Sequence, residues 1–480
     1  MQVCIKRSIC MLISFPDSVP KLAVALNSSD ALVVAEACIA IRKILSIDRN
    51  PPIAKVLEAG ILPRLRELLA DALRPAVQLE ACWSLTNIAS GTPEQTQAVV
   101  ESGAVPIFVQ LLSSPDASLK EQAVWALANI AGDRPEYRDG CIAVGSVEAL
   151  TAIVDESLRA KSTQMTRLGT WGLSNLCRGR PSPDFEKLRP CLASLGRALT
   201  VSNDSEVLAD TAWALSYLTD TGDAEQVSAV LSYVDVARLV SLLAHPSTAV
   251  HTPVLRVVGN LVSGQSEITN QVVKRGALAQ LKGLVLSNKK SVRKEALWAV
   301  SNICADSQPM LQAVIDSGAM DRVCDLLRDG RNDGDIRKEA AWTVCNACTV
   351  GNRQQVRTLV TDSRFRFLEI LTSYLESSHD TKSIKTALEA VNAILTHGED
   401  ELTNPYAAML EECGGLSVIE DLQQDESEEV YHAAVDILER FYNCDEEENT
   451  VPQQEKIVFD FGSQKSRDPK MPILPFARSG

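Results

Sequence analysis

The sequence predicts an all-α solenoid of about ten three-helix repeats, and two observations support this prediction. The first is the length of 480 residues, which is too long for one compact core and favours several domains or a repeat array. The second is a Trp followed by an Asn four residues later, a pair that recurs along most of the chain. A spacing of four places both side chains on one face of a helix, one turn apart.

We call this series of Trp and Asn positions the Trp/Asn ladder. Its positions are 42 to 46 residues apart, a period typical of armadillo and HEAT arrays, so the predicted fold is a right-handed armadillo-repeat superhelix. Five pairs keep both residue types, and in two others Tyr replaces Asn or Arg replaces Trp. The ladder consists of Trp83 with Asn87, Trp125 with Asn129, Trp171 with Asn175, Trp213 with Tyr217, Arg256 with Asn260, Trp298 with Asn302, and Trp342 with Asn346.

The order of helices within one repeat is clearest over residues 94–133. A short helix ends at Gly103, a second helix covers AVPIFVQLLSS, and a long third helix covers SLKEQAVWALANIAGD and carries the ladder. A Gly recurs at the joint between the first two helices, where we expect positive φ or close helix contact. These joints are at Gly60, Gly103, Gly145, Gly276, Gly318 and Gly414.

Ten such repeats are predicted over residues 16–443. The first and last two lack a ladder Trp, as expected of terminal caps that face solvent on one side. Residues 1–15 do not fit the repeat and are interpreted as an unassigned N-terminal extension. Residues 444–480 start with an acidic run and continue without helical periodicity, so we expect a disordered tail.

Composition narrows the class of function. The net charge of −15 argues against general nucleic-acid binding and favours a cationic partner. No apolar run approaches the length of a membrane span.

The 13 Cys are scattered, which indicates a reducing compartment. Cys345 and Cys348 form a C-x-x-C inside a predicted ladder helix with no second pair nearby, so a metal site is not expected.

Two interpretations of the ladder are open at this point. One Trp per repeat can be an ordinary core residue. Alternatively, the ladder lines the long concave face of a repeat array, where an Asn amide matches a peptide backbone and indoles hold Lys or Arg side chains. We favour the surface interpretation because five pairs share one register. Carboxylates close to the indoles, at Asp133, Asp210, Glu295 and Glu339, would suit a basic ligand.

Several segments resemble the importin alpha family of nuclear import adaptors. They include RKILSIDRNPPIAKVLEAGILP (42–63), WSLTNIASGTPEQTQAVVESGAVP (83–106) and WALANIAGD (125–133), and the likeness extends over residues 16–445. The resemblance implies a non-enzymatic adaptor without cofactors that shuttles between cytoplasm and nucleus. It implies that nuclear localisation signals of cargo proteins bind in extended form at two sites, called major and minor.

The resemblance also implies, position by position, which residues form the two sites. In the major site Asp133 would pair with the critical Lys of the signal, aided by the Gly91 carbonyl and the Thr96 hydroxyl. The minor site would use Glu295 and Glu339 for the shorter basic cluster of a bipartite signal. The major site would contain Trp83, Asn87, Gly91, Thr96, Gln122, Trp125, Asn129, Asp133, Trp171, Asn175, Asp210, Trp213 and Tyr217. The minor site would contain Arg256, Asn260, Val262, Gly264, Thr269, Glu295, Trp298, Asn302, Glu339, Trp342 and Asn346.

Both ends of the sequence bear on further partners. The family begins with a basic, autoinhibitory segment that binds importin beta, whereas Lys6 and Arg7 are the only cationic side chains of residues 1–15. Recruitment of importin beta and autoinhibition are therefore not expected of these residues. The acidic run at the other end resembles the family's region for an export receptor of the CAS type, and it consists of Asp445, Glu446, Glu447 and Glu448.

Two other functional classes were weighed against an import adaptor. A beta-catenin-like scaffold in adhesion or signalling would share the fold, but its groove is strongly basic and lacks a Trp/Asn ladder. The acidic charge of this chain disfavours that alternative. An enzyme is disfavoured because the sequence contains no phosphate loop, nucleophile elbow, metal motif or paired catalytic His.

Overall fold

The computed structural model describes residues 18–330, 334–399 and 403–442. The predicted extension at 1–15 and the predicted tail at 444–480 both lie outside these described residues. All regular elements within the described ranges are helical, namely 29 α-helices and two short 3-10 helices. The prediction of an all-α fold is confirmed.

The α-helices follow one another in a regular order. In the first half they are α1 (Val19–Leu26), α2 (Ala31–Leu45), α3 (Ile53–Glu58), α4 (Leu62–Leu69), α5 (Pro75–Ala89), α6 (Pro93–Glu101), α7 (Val105–Leu111), α8 (Ala117–Asp133), α9 (Pro135–Ala143), α10 (Ser146–Ala160), α11 (Thr163–Cys177), α12 (Phe185–Leu188), α13 (Leu192–Val201) and α14 (Ser205–Leu218). In the second half they are α15 (Ala224–Leu231), α16 (Val236–Leu242), α17 (Thr248–Val262), α18 (Ser266–Lys274), α19 (Ala277–Leu284), α20 (Lys290–Asp306), α21 (Gln308–Ser317), α22 (Ala319–Arg328), α23 (Gly334–Val350), α24 (Arg353–Thr361), α25 (Phe367–Ser377), α26 (Thr381–Thr396), α27 (Pro405–Glu412), α28 (Gly415–Asp421) and α29 (Glu428–Phe441).

Every third helix from α2 to α29 is long, and we call these ten the ladder helices. Each ladder helix packs against the ladder helices of the repeats before and after it, so they form one continuous layer. The short helices before each ladder helix pack on that layer and complete the repeats. Ten repeats stacked through nearest neighbours make the described part an α-solenoid, as predicted.

Helix α8 shows why these residues form a ladder helix. The Asp116 carboxylate accepts hydrogen bonds from the backbone N–H groups of Ser118 at 2.8 Å and Leu119 at 3.3 Å, which caps the helix start. Small Ala residues and Leu127 are buried around most of its circumference, because helices contact α8 on several sides. Trp125 is exposed, so one face of the helix is left for other contacts.

The glycines at the predicted joints have positive φ in all six cases, from +67° at Gly60 to +89° at Gly276. This confirms the expectation of a backbone conformation that L side chains rarely adopt. At Gly318 the consequence is direct, because its φ of +72° ends α21 and lets α22 start at the next residue. The joint therefore turns the chain between two short helices without a loop.

The fifth repeat departs from the regular pattern. Its first helix, α12, has only four residues, and residues 178–184 before it are not helical. Pro181 and Pro183 explain the difference, because a Pro lacks the N–H that a helix interior requires. The ladder helices on either side, α11 and α14, still pack against each other, so the layer continues through this repeat.

The described cysteines belong to the core. Nine of the ten are buried, and Cys413 is half-buried. Cys345 and Cys348 both lie in α23 and are buried among its apolar residues. No group of His, Cys, Asp or Glu in the described part could hold a metal ion. None of the described helices is both long and apolar enough to cross a membrane.

Candidate peptide-binding groove

The six Trp indoles lie on six ladder helices, and none of them is buried. Trp125 is 46% exposed and Trp83 is 36% exposed, and the other four are half-buried. Leu85 and Leu127, which each follow a ladder Trp by two residues, are fully buried. The indoles therefore line the surface of the ladder-helix layer, and the interpretation as ordinary core residues does not hold.

The ladder Asn side chains also form hydrogen bonds between neighbouring repeats, which the sequence did not predict. Four of them donate a hydrogen bond from Nδ2 to the ladder helix of the preceding repeat, or to the residue that follows it. Such bonds tie neighbouring repeats together. They run from Asn87 to Ser46 Oγ (3.0 Å), from Asn175 to the Ala128 carbonyl (3.0 Å), from Asn260 to the Ser216 carbonyl (3.0 Å), and from Asn346 to Ser301 Oγ (2.9 Å).

Asn175 and Asn260 are buried, whereas the half-buried Asn87 and Asn346 keep part of their amides for a ligand. An Asn side chain has two N–H donors and one carbonyl acceptor, and each of these bonds uses an N–H. Asn129 makes no hydrogen bond to any described residue, and Asn302 Nδ2 is buried without a partner. Across the ladder, the amides thus combine structural contacts between repeats with polar groups that have no partner among the described residues.

Two carboxylates are in the predicted major half of the groove. Asp133 forms an ion pair with its neighbour Arg134, with 3.2 Å between Oδ2 and Nε. Asp210 has no hydrogen-bond or ion-pair partner among the described residues, although it is half-buried. Burial, and to a lesser degree Glu206, raises the pKa of Asp210 to about 6. An unpaired carboxylate in such surroundings gains strongly from a cation.

The other predicted major-site residues differ in accessibility. Gly91 is exposed, whereas Thr96 is buried and its hydroxyl donates to the Ala89 carbonyl at 3.1 Å. A contact of the Thr96 hydroxyl with a ligand Lys stays a prediction. Gln122 Oε1 is buried without a partner, three residues before Trp125.

The carboxylates of the predicted minor half are already paired inside the chain. Glu295 forms an ion pair with Arg256, the residue that replaces a ladder Trp. Glu339 is only 3% exposed, and its Oε1 lies 3.8 Å from Lys294 Nζ. Burial, partly offset by Lys294, raises the pKa of Glu339 to about 7. A basic ligand would have to compete with these internal cations.

A small cavity of about 160 Å³ lies beside Glu339 at this end of the ladder. Trp342 and Tyr374 contribute aromatic walls, and Lys294 and Lys338 contribute charge. Lys382 also lines the cavity, with its Nζ 6.0 Å from the centre of the Trp342 ring. The cavity is therefore a mixed aromatic and cationic pocket with one buried carboxyl group.

The centre of the ladder differs from both ends. The rings of Trp213 and Tyr217 stack with centroids 5.9 Å apart, so the Tyr covers part of the indole. Of the remaining predicted minor-site residues, Val262 and Thr269 are buried, and Gly264 is exposed. The two buried ones are not accessible to a ligand in this conformation.

Three further residues lie close to the indoles and were not predicted from the sequence. Glu80 stands three residues before Trp83, the same register as Glu295 and Glu339, and this signal could have found it. Its partner Arg42 lies over the Trp83 ring, 4.7 Å from the ring centre. Gly259 lies against the indole of Trp298, because a Cβ there would be 2.2 Å from a ring atom.

Sequence comparison identifies the repeats and the family. The armadillo/beta-catenin-like repeat family matches residues 49–90, 92–132, 265–305 and 307–349, and the atypical Arm repeat family matches residues 404–455. Importin subunit alpha-1a of Oryza sativa subsp. japonica is 41% identical over 457 residues, which cover 93% of this chain and 85% of that protein. The chain belongs to the importin alpha family.

Further members of this family match nearly the whole length of this chain. Importin subunit alpha-4 of Arabidopsis thaliana is 41% identical over 472 residues, covering 96% of this chain and 85% of that protein. Among solved structures, an engineered protein matches with a TM-score of 0.77 and 28% identity over 88% of this chain and 98% of its own. The predicted armadillo fold and the predicted importin alpha family are both confirmed.

Proposed function

We propose that this importin alpha binds Lys/Arg-rich nuclear localisation signals in extended form along the Trp/Asn ladder, through a major and a minor site. Membership of the family gives the general role, which is that of an adaptor in nuclear import. The observation that carries the specific proposal is the row of six unburied indoles on successive ladder helices. A beta-catenin-like scaffold is not supported by relatives that match over the length of the chain.

The spacing of the ladder suits an extended peptide. Packed helix axes are about 8–10 Å apart, and an extended chain advances about 3.3 Å per residue. Each repeat therefore spans two to three peptide residues. Polar groups of the ladder Asn residues can bond the peptide backbone, while Lys and Arg side chains lie between indoles. Each cation–π contact of this kind is worth about 0.5–2 kcal/mol.

Charge favours the same ligand class. Asp133 is paired only with the partly exposed Arg134, and Asp210 has no partner among the described residues. A charge-assisted hydrogen bond from a ligand ammonium to either would contribute about 1.5–3 kcal/mol. In the proposed minor half, the ligand must displace Arg256 from Glu295 or Lys294 from Glu339. The proposal therefore makes the major site the tighter one.

The remaining partners follow from the family. We propose cargo proteins with basic signals as the main partners, with the chain shuttling between cytoplasm and nucleus. An export receptor of the CAS type is proposed for the acidic run at 445–448, which lies outside the described residues. Importin beta is the family's general partner, and we propose it as the third component, to be tested by a binding assay with this chain.

The test is a titration of fluorescent peptides against the wild-type chain and charge-reversed variants. Asp133→Lys is expected to abolish binding of a monopartite signal, while Glu339→Arg mainly weakens a bipartite one. Glu412→Lys is a control with the same change of charge at an exposed position of α27, away from the ladder. Affinity is expected to fall with added salt, because the attraction is partly Coulombic.

The outcomes separate the parts of the proposal. Equal losses from Asp133→Lys and Glu339→Arg with both peptides would contradict the division into two sites. No binding by the wild-type chain would mean that the ladder is structural here. Binding followed by association of added importin beta would establish the third component directly.

A further inference from the structure

Internal cations lie over the indoles at the two ends of the ladder. The Arg42 guanidinium is 4.7 Å from the centre of the Trp83 ring, and Lys382 Nζ is 6.0 Å from the centre of the Trp342 ring. Arg42 comes from α2, one repeat before Trp83, and Lys382 comes from α26, one repeat after Trp342. Each end of the ladder is thus approached by a cation from the flanking repeat.

The inner indoles lack such a cover. No described Lys or Arg lies over the rings of Trp125, Trp171 or Trp298, and none of these rings stacks on another described aromatic ring. A cation of a ligand can therefore approach these three rings without displacing a described Lys, Arg or aromatic side chain. The difference between inner and terminal indoles does not follow from the sequence pattern, in which all of them hold equivalent positions.

We propose that Arg42 and Lys382 close the two ends of the Trp/Asn ladder by occupying indole faces that would otherwise accept cations of a cargo signal. They thereby limit the number of basic residues that the groove recognises. This inference rests on the proposed binding of basic signals and adds two residues that determine specificity.

Arg42 is held firmly in this position. Its Nε donates to Glu80 Oε2 at 2.7 Å and its Nη2 to Glu80 Oε1 at 3.5 Å, with both side chains less than one-fifth exposed. A planar guanidinium paired in this way is preorganised for stacking on a ring. The contact of Arg42 with the ring costs no translational freedom, because both groups belong to one chain. A ligand Lys that displaced Arg42 would only replace this contact, so it would gain little. It would also meet the positive charge of Arg42.

Lys382 is expected to close its end less completely. Its ammonium lies at about the outer limit for a cation–π contact, and a Lys side chain is flexible. Lys338 and Lys294 line the same cavity, so the positive charge there does not depend on Lys382 alone. Removal of Arg42 should therefore change recognition more than removal of Lys382.

The experiment compares a parent monopartite basic peptide with versions that carry one extra Lys at either end of the basic cluster. The full chain is used as wild type, Arg42→Gln and Lys43→Gln. Lys43 is the matched control, because it is the next residue of α2, is exposed and carries the same charge. In the wild type the extra Lys should change the affinity less than about twofold. In Arg42→Gln it should raise the affinity about 2- to 30-fold at one end of the cluster.

A double variant guards against a folding defect. Arg42→Gln with Glu80→Gln keeps a neutral hydrogen-bonding pair, and it should show the same gain as Arg42→Gln if its helical circular dichroism is unchanged. Equal gains in Arg42→Gln and Lys43→Gln, or an equal gain in the wild type, would overturn the closure of the ladder while leaving peptide binding intact. If the wild type bound no basic peptide at all, the proposed function itself would fail, and the inference with it.

Discussion

The side-chain amide of Asn175 donates a hydrogen bond to the backbone carbonyl of Ala128, 3.0 Å away and one repeat earlier. Asn175 is 6% exposed, so this bond is buried between two ladder helices. Asn129, the ladder amide next to Ala128, is half-buried and bonds to no described residue. Two amides in equivalent positions thus have different roles, one in holding repeats together and one with its polar groups available.

Replacing these two Asn residues separates stability from binding. Asn175→Ala should lower the free energy of unfolding by about 0.5–1.5 kcal/mol, because it removes a buried hydrogen bond between two repeats. Asn129→Ala should change it by less than about 0.5 kcal/mol. Urea denaturation followed by circular dichroism measures both. Peptide titration should show weaker binding for Asn129→Ala, and equal losses of stability in the two variants would refute the distinction.

The affinity for a basic peptide should depend on pH through Asp210. Its pKa of about 6 in the free chain means that it is protonated below that pH and must lose the proton to pair with a cation. Affinity should therefore fall roughly tenfold from pH 7.5 to pH 5.0. Asp210→Asn should bind more weakly at pH 7.5 and lose most of this dependence. If the affinity of Asp210→Asn fell as steeply with decreasing pH as that of the wild type, Asp210 would be excluded as the cause.

Stability should depend on pH through Glu339. Burial raises the pKa of its folded-state carboxyl to about 7, so between pH 4.5 and pH 7 the folded chain binds more protons than the unfolded chain. The contribution to stability is therefore largest at low pH and falls as the pH rises through this window. Glu339→Gln should stabilise the free chain at pH 8 by about 1–3 kcal/mol and have little effect at pH 5. Urea midpoints of the wild type and of Glu339→Gln at pH 5 and pH 8 measure this effect. The same difference between the two proteins at both pH values would contradict the prediction.

Because Gly259 lies against Trp298, we expect a substitution of Gly259 to weaken peptide binding at the proposed minor site only. Gly259→Ala places a Cβ 2.2 Å from the indole, so the ring has to move. Binding of a bipartite signal should weaken several-fold, with a shifted Trp emission, while a monopartite signal binds as before.

Gly283→Ala provides the control for this change. An added Cβ at this position in α19 would meet nothing within 4 Å, so the variant should be neutral or more stable by about 0.5–1 kcal/mol. A loss of monopartite binding in Gly259→Ala as large as the bipartite loss would show a general folding defect instead.

The sequence predicts the ladder helices and their joints well because these depend on local rules. Four-residue spacing defines a helix face, and the glycines at the joints adopt the positive φ expected of them. The repeat period then places equivalent faces side by side. Exposure of the indoles follows from this regularity, since each ladder helix buries its apolar side against its neighbours.

Contacts between repeats could not be predicted, because they depend on how one ladder helix is rotated against the next. Sequence analysis assigned Glu295 to a ligand, whereas in this structure it pairs with Arg256, 39 residues earlier. The bonds of the ladder amides and the stacking of Arg42 on Trp83 join residues 41 to 47 positions apart. No local pattern distinguishes these partners from other residues at similar spacing.

Alkylation of the buried cysteines reports when individual repeats of the array open. Burial raises the pKa of Cys38 and Cys141 to about 12, so these thiols react with an alkylating reagent only when their own repeat opens. In an array coupled through nearest neighbours, a terminal repeat is stabilised from one side only, so we expect it to open first. The order of alkylation, read by mass spectrometry, would therefore record how unfolding advances inwards from Cys38 near one end and from Cys348 nearer the other, towards Cys177.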